Sequence, residues 1–417
     1  LINYEDAYVQ PLILAALKSR LPAESYTLIS SISDLPDLTS PFLQIGAYES
    51  LPFPHILSNS TTTLANAYII RKALIRKHYL STTAFNWITK NPSSMLRTNI
   101  KPACDFELDY AEFLDEALVE AWELRESFER NHGRESHERE WWILKPGMSD
   151  RGQGIRLFST EEELQSIFEE WEAERPDSDE ESENEKPSEN ETKGTAEGKG
   201  DYIVTSHLRH FIAQPYIHPP LLLPSNPRKF HIRTYVLAVG ALKVYVYKEM
   251  LALFASSPYI PPWSPSTSDT MADLSPHLTN TCLQPSVHDG TVKSFFSLPS
   301  SDLSSTMKGD IFKQICETTG ELFEAAAKGM MVHFQVLPNV FEVFGVDFLV
   351  DEMGTAWLLE VNAFPDFRQT GEELRGIVGR LWEGVVDVAV AGFFGLEVKE
   401  KAEADMVLVR EVEMGRR

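Results

Sequence analysis

Apolar and polar residues alternate in two rhythms along this chain. Near-continuous or alternating apolar runs predict buried strands at Trp141–Leu144, Ile155–Phe158, Phe211–Ile217, Ile232–Val239, Leu242–Tyr247, Phe341–Val350 and Ala356–Val361. Spacings of three and four predict helices over Ile311–Lys328 and Glu373–Phe393, and an amphipathic stretch from Val9 to Lys18. A strand around Tyr26–Ser30 and an apolar run at Phe42–Ala47 join that stretch in a small opening α/β unit. Another helix is expected from Thr62 to Leu80. Its apolar face carries Leu64, Ala67, Ile70, Leu74 and Ile75, and its other face Arg71, Lys72, Arg76 and Lys77, which read as a solvated basic surface. A helix-like stretch follows from Tyr110 to Glu129. Strands outnumber those of a simple βαβ series, which favours α+β layers with antiparallel hairpins.

Two segments break the rhythm. Arg175–Gly200 is Glu, Asp, Ser, Asn and Lys with almost nothing apolar, and such a stretch buries too little surface to offset its ordering entropy, so a disordered insertion is expected. Ser256–Ser305 is rich in Ser, Pro and Thr and is expected to be a long loop. The chain opens at Leu1, inside what reads as a strand, as expected of a domain excised from a longer protein.

Charge narrows the function classes. The 417 residues carry a formal charge of −24, of which 17 acidic and 4 basic residues between Glu161 and Asp201 supply −13. The remaining −11 still disfavours nonspecific nucleic-acid binding, which needs clustered Lys and Arg. No apolar run is long enough to span a bilayer, so a soluble protein is expected. Three scattered cysteines, Cys104, Cys282 and Cys316, offer neither zinc spacing nor a disulfide framework and suit a reducing, cytosolic setting.

Candidate chemistry sits in the strands. Phe344–Gly345–Val346–Asp347–Phe348 is followed, after a turn at Asp351–Gly354, by Trp357–Leu358–Leu359–Glu360–Val361–Asn362, so the two runs predict antiparallel neighbours. Strict alternation puts Glu360 and Asn362 on one face and Trp357, Leu359 and Val361 on the other. Oxygen donors from Asp347, Glu360 and Asn362 suit a magnesium ion completed by phosphate and water; pairing of the two carboxylates with buried Arg or Lys is the competing reading. Lys145 leaves a strand beside the glycine-rich turn Asp150–Arg151–Gly152–Gln153–Gly154, where an ammonium and bare N–H groups could meet phosphate. An ordinary hairpin turn explains that stretch equally well, and the P-loop ending is missing. Lys229, His231 and Arg233 alternate onto one face of their strand, which invites an anion such as a triphosphate; a charge-guarded edge strand is the alternative.

Together these segments resemble the tubulin–tyrosine ligase family of ATP-grasp enzymes. The resemblance rests on Trp142–Ile143–Leu144–Lys145–Pro146, Gly152–Gln153–Gly154–Ile155, Gln214–Pro215–Tyr216–Ile217, Arg228–Lys229–Phe230–His231–Ile232–Arg233, His277–Leu278–Thr279–Asn280 and the two runs around Asp347 and Glu360, all in the family's order. Ile70–Arg71–Lys72–Ala73–Leu74 looks like the basic helix near the family domain's start, so nearly the whole chain is covered. It is similar above all to fungal members in which this domain follows a SurE-like phosphatase domain, some of them associated with processing bodies.

The resemblance implies an α+β ATP-grasp fold, two lobes clasping ATP, preceded by a small α/β domain. Residues 1–63 would form that domain, 64–217 the central lobe and 218–417 the C-terminal lobe. It further implies that Lys145 and the Gly152–Gly154 lid meet phosphate, that adenine lies on Gln214, Tyr216 and Ile217, that Lys229 and Arg233 bind nucleotide or the substrate carboxylate, and that Asn362 contacts nucleotide. Asp347, Glu360 and Asn362 would hold Mg2+, with Arg233 and Glu360 as catalytic groups. The implied reaction is ATP-dependent ligation through an acyl phosphate to an amide, adding an amino acid to a protein carboxylate, in the cytoplasm or processing bodies. The family usually has Lys at Pro215, Asp at His231 and Arg near Lys248, which bears on turnover and substrate choice. Alternatives are an ATP-binding scaffold among mRNA-decapping proteins and a small-molecule ligase. No direct nucleic-acid or membrane contact is expected.

Overall fold

In the computed structural model, which describes residues 1–147, 154–173, 209–264, 274–279, 291–399 and 405–414, the early apolar run Phe42–Gly46 is the middle strand of a parallel sheet. Its neighbours are β1 (Ile2–Asn3) and β3 (Thr63–Ala65), with β2 (Phe42–Gly46) between them. The helix Gln10–Arg20 crosses from β1 to β2, opened by Pro11 in its first turn, where no backbone donor is needed. Tyr26–Ser30 forms no strand.

The expected helix from Thr62 to Leu80 is replaced by β3, an irregular turn, and two helices, Lys72–Ile75 and Lys77–Lys90. Thr63–Ala65 is drawn into extended chain because it pairs with Phe42–Gln44, while the Asn66 amide exchanges hydrogen bonds of 2.8 and 3.0 Å with the backbone of Gly46. The basic face changes accordingly. Arg71 is buried, its Nε 2.8 Å from Glu342 Oε1 and its guanidinium 3.9 Å above the Tyr48 ring.

The described chain divides into two compact units, one of Leu1–Pro102, Ile217–Pro261 and Ser275–Arg417 and the other of Ala103–Tyr216 and Pro262–Leu274. Residues 64–102, grouped with the central lobe in the sequence expectation, therefore pack with the C-terminal half. Tyr68 N–H donates to Glu342 Oε2 (3.0 Å) and Trp87 Nε1 to Glu321 Oε1 (2.8 Å).

The smaller unit holds an antiparallel sheet, β4 (Cys104–Glu107), β5 (Trp142–Pro146), β6 (Arg156–Phe158) and β7 (His210–Pro215), in the order β4-β7-β5-β6. The helix Glu161–Ala173 covers it with Leu164, Ile167, Phe168 and Trp171. The stretch expected to be helical from Tyr110 to Glu129 is broken into Leu114–Ala117 and Trp122–Asn131, which add Leu114 and Leu124 to this core. The acidic segment 175–200 lies outside the described residues.

The larger unit is built on seven strands: β8 (Phe230–Val239), β9 (Lys243–Tyr247), β10 (Leu251–Phe254), β11 (Val292–Ser294), β12 (Phe341–Val350), β13 (Ala356–Ala363) and β14 (Met406–Glu411). Their main order is β11-β10-β8-β12-β13, and the second half of β8 turns back to pair with β9, which carries β14. β8 is thus an internal strand between β10 and β12 at its charged end, so the edge-strand reading of Lys229, His231 and Arg233 does not hold. The expected loop 256–305 contains β11, and its residues 265–273 and 280–290 lie outside those described.

Alternation sorts this sheet into two apolar faces. Ile232, Val236, Phe344, Val346 and Phe348 pack on one side with Ile311, Ile315 and Phe323 of the long helix Ser305–Gly329. Tyr235, Leu237, Phe341 and Val343 pack on the other with Ile13, Leu17, Val378 and Trp382. The helix Arg375–Val385 runs into a wider π turn at Val386–Val390, where Asp387 takes two hydrogen bonds of 2.8 Å from Arg20. The second face is apolar only for part of its length, since the same alternation continues from Tyr235 to Arg233, His231 and Lys229, and from Val343 through Gly345 to Asp347.

One feature of this face departs from simple alternation. Register runs Asp347↔Glu360 and then Phe348↔Leu358, so Leu359 is an extra residue on β13. Glu360 and Asn362 stay on the side of Asp347 and Gly345, as expected. Trp357, however, pairs with Leu349 and shares their side rather than that of Val361, because the bulge resets the alternation.

Candidate functional site

The charged end of the second face is organised by an ion pair. Arg233 and Asp347 are opposite one another across β8 and β12, and Arg233 Nε donates to Asp347 Oδ1 and Nη2 to Oδ2 (3.1 Å). Both side chains are buried. Burial alone would push the Asp347 carboxyl upward, but Arg233, and then His231, hold it below its usual range. For Arg233, burial opposes the charge, and the Asp347 carboxylate more than compensates, so its pKa is raised further.

Glycine makes room for this pair. A Cβ on Gly345 would stand 2.8 Å from Pro365 Cβ and 3.3 Å from Arg233 Cδ, so only a bare Cα lets the arginine lie across the strand. Arg233 Nη1 also reaches Gln369 Oε1 (3.4 Å), a contact from the short 3-10 turn Phe367–Thr370 after β13 that no strand periodicity announces. His231 Nδ1 is 2.6 Å from Thr279 Oγ1 and its Nε2 is 3.7 Å from Asp347 Oδ1. Burial, partly opposed by Asp347, lowers the imidazole's pKa, which favours the neutral ring.

Asn362 draws the acids together. Its Nδ2 donates to Glu360 Oε1 (3.1 Å) and lies 3.4 Å from Asp347 Oδ2. Two carboxylates thus meet on one side of β12 and β13, bridged by the nitrogen of the Asn362 amide. Among the described residues no group of three His, Cys, Asp or Glu side chains is placed to hold a metal unaided. Asp347 is paired with a buried arginine, as the competing sequence reading had it, and the two carboxylates would still suit magnesium, a hard cation that keeps several waters and takes one or two carboxylates with phosphate oxygens. Lys229, buried just before β8, falls on the same face if the alternation is continued one step outward.

The remaining candidates belong to the smaller unit, except Ile217, which begins the next stretch of the larger one. Lys145 Nζ donates to Gln214 Oε1 (3.0 Å) between neighbouring β5 and β7. Tyr216 N–H donates to Trp141 O (2.8 Å), extending that pairing, and Gln214, Tyr216 and Ile217 are all buried. Gly147 N–H donates to His210 O (2.7 Å), and a Cβ there would stand 3.0 Å from that oxygen, so Lys145 leads into a tight approach between strands. Gly154 has φ of +71°, a conformation suited to glycine. Gly152 lies outside the described residues.

A seven-stranded antiparallel sheet carrying paired acids and cations, in a chain with a second α+β unit, defines a class that sequence comparison names. The chain belongs to the tubulin-tyrosine ligase family, whose model matches residues 76–396. It is 43% identical over 414 residues to a probable tubulin–tyrosine ligase of Schizosaccharomyces pombe, covering 99% of this chain and 96% of that protein. It is 41% identical over 402 residues to the probable tubulin–tyrosine ligase PBY1 of Saccharomyces cerevisiae, covering 93% of this chain but 51% of that protein. Among solved structures it is similar to the C-terminal domain of K. lactis Pby1, described as an ATP-grasp enzyme interacting with the mRNA decapping enzyme Dcp2. That match has 36% identity and a TM-score of 0.72, and covers 99% of both chains. The fold is therefore that of ATP-grasp enzymes, a fold that implies ATP binding. No described helix is long and apolar enough to cross a membrane.

Proposed function

We propose that this chain is an ATP-dependent carboxylate–amine ligase that joins an amino acid to a protein carboxylate through an acyl phosphate. The observation that carries this reading is the convergence of Asp347, Glu360 and Asn362 beside the buried Arg233. Oxygen donors next to a fixed cation suit a phosphoryl group in transfer, where catalysis is mostly positioning and neutralisation of charge. Asp347, Glu360 and Asn362 would hold magnesium, which would further neutralise phosphate charge. Arg233, anchored by Asp347, keeps a cation at a fixed point on the same face, and Lys229 adds a second. Lys145, Gly152 and Gly154 would meet phosphate, while Gln214, Tyr216 and Ile217 would line the adenine. No side chain has to act as a nucleophile.

The test is calorimetry of ATP with and without magnesium on the wild-type chain and on Glu360→Gln, followed by a screen of amino acids for stimulated ADP release. The variant is nearly isosteric, so melting should be unchanged while magnesium-dependent affinity falls at least about ten-fold. Equal magnesium–ATP affinity in the two proteins would remove the metal assignment.

A second reading, an ATP-binding scaffold in an mRNA-decapping or processing-body assembly, is favoured by the Dcp2 interaction stated for K. lactis Pby1. The chain without its acidic segment, still −11 in formal charge, also repels strongly acidic acceptors such as tubulin tails. On this reading ATP binds but neither detyrosinated tubulin nor any amino acid stimulates ADP release. Robust tyrosine incorporation into tubulin, lost in Glu360→Gln, would refute it.

A further inference from the structure

The smaller unit presents a surface that the proposed chemistry does not use. Twelve large apolar side chains stand well exposed among the described residues, and four of them fall within thirteen positions: Tyr110 (45% exposed), Phe113 (43%), Val119 (64%) and Trp122 (57%). The local backbone winds tightly. Phe113 N–H donates to Tyr110 O, Leu118 to Leu114 O, Ala121 to Leu118 O and Leu124 to Ala121 O, which keeps the rise near that of a helix. At about 1.5–2.0 Å per residue the four side chains arise within about 18–24 Å of one another along the chain. The inward positions of this stretch, Ala111, Leu114, Leu118, Ala121 and Leu124, already supply the core. Tyr110 and Phe113 rest edge to face at 6.2 Å and so hold each other in place at the surface.

Along the sequence, the charge carried by this stretch is of one sign. From Asp105 to Glu123 there are eight carboxylates and no Lys, Arg or His. Crowding is felt next door: burial, and then the adjoining Asp115 carboxyl, raise the pKa of Glu161. The fold sets His210 Nδ1 3.4 Å from Glu107 Oε1 and brings Arg209 to Asp109, where it is taken up in two-pronged fashion. Arg209 Nε and Nη2 donate to Asp109 Oδ1 and Oδ2 at 2.7 and 2.9 Å, although both side chains are largely exposed.

We propose that Tyr110–Glu123 is a docking surface for a cationic segment of a partner protein, in which Arg or Lys alternates with aliphatic side chains. The aromatic and aliphatic side chains would take the apolar residues, as aromatic anchors do at protein interfaces. Asp115, Glu116 and their neighbours would take the guanidinium or ammonium groups as Asp109 takes Arg209. Nucleic acid and anionic membranes carry the wrong sign. A second copy of this chain, at −24, is disfavoured by the same charge.

The probe is a fluorescent peptide of five Arg-Leu repeats, titrated by anisotropy into the whole chain. Four variants are compared: Trp122→Ala, the double change Asp115→Lys with Glu116→Lys, a control pair Glu372→Lys with Glu373→Lys on the larger unit, and Glu360→Gln. Both patch variants, checked for unchanged melting, should bind at least about ten-fold more weakly, a difference of about 1.4 kcal/mol. The control pair and Glu360→Gln should stay within about two-fold, well below that threshold. Replacing Leu by Gly in the peptide should weaken binding as the patch variants do. Equal loss in the control pair, undiminished binding by either folded patch variant, or self-association abolished by Trp122→Ala would each overturn the proposal. Because Glu360→Gln is scored separately, loss of the ligase reading leaves this one standing, and the reverse.

Discussion

Arg233 and Asp347 face each other across two internal strands and are joined by two hydrogen bonds with almost no access to water. Each is the main reason the other can be charged there. Asp347→Asn should therefore cost about 3–5 kcal/mol in urea unfolding, because it strands a buried guanidinium. Glu360→Gln, on a partly exposed side chain, should cost little. Similar losses in the two variants would show that the pair does not hold this end of the sheet.

Gly345→Ala should displace Arg233 or Pro365, since its methyl would stand 2.8 Å from Pro365 Cβ. Overpacking of this kind costs about 1–3 kcal/mol. The expected signature is a lower melting temperature together with weakened magnesium–ATP binding. A normal melt and normal binding would mean that the strand gives way freely.

Glu342 makes stability depend on pH. Burial, partly offset by Arg71 and the Tyr68 N–H, raises its pKa to about 8 from an ordinary value near 4.5. Between those values the native chain holds a proton that the unfolded chain has lost, so this group's contribution falls as pH rises from about 4.5 to about 8. Below that window the penalty is absent, and above it the penalty is complete. Glu342→Gln should flatten the decline in melting temperature between pH 5 and pH 9, roughly the span of that titration. Parallel curves for the two proteins would place the proton elsewhere.

Lys145→Met should leave the small sheet folded, because the change keeps the aliphatic stem and removes only the ammonium that bonds Gln214. ATP affinity should fall about ten-fold, the scale of one lost charge-assisted contact. Isothermal titration checks it, with unchanged affinity excluding Lys145 from the phosphate site.

Much of the larger sheet could be read in advance because its strands are long and bounded by clear turns. Phe341–Val350 ends at the Asp351–Gly354 turn, and alternation then puts Asp347, Glu360 and Asn362 on one side. β4, β10 and β14 were not foreseen, the first two being four residues long and the third partly polar at a sheet edge. The bulge at Leu359 carries no glycine or other local mark, so the side on which Trp357 lies was beyond periodicity. Arg71 looked like a surface cation because its partner Glu342 is 271 positions away and itself sits inside an apolar run. Gln369 reached Arg233 from the four-residue 3-10 turn Phe367–Thr370, too short for any periodicity to announce.

The packing of the first hundred residues against the last hundred has a consequence for how the chain is made on the ribosome. Arg20 waits for Asp387, 367 positions later, and the Tyr68 amide for Glu342, 274 positions later. Tyr8 finds the carbonyl of Gly371 at a similar remove. The sheet of β4 to β7, by contrast, is complete once Pro215 has emerged. Translation therefore delivers a finished small sheet in the middle of an unfinished large one. Meanwhile Ile13, Leu17 and Leu64 have emerged without their sheet, and a nascent chain in that state needs shielding until its C-terminal strands arrive.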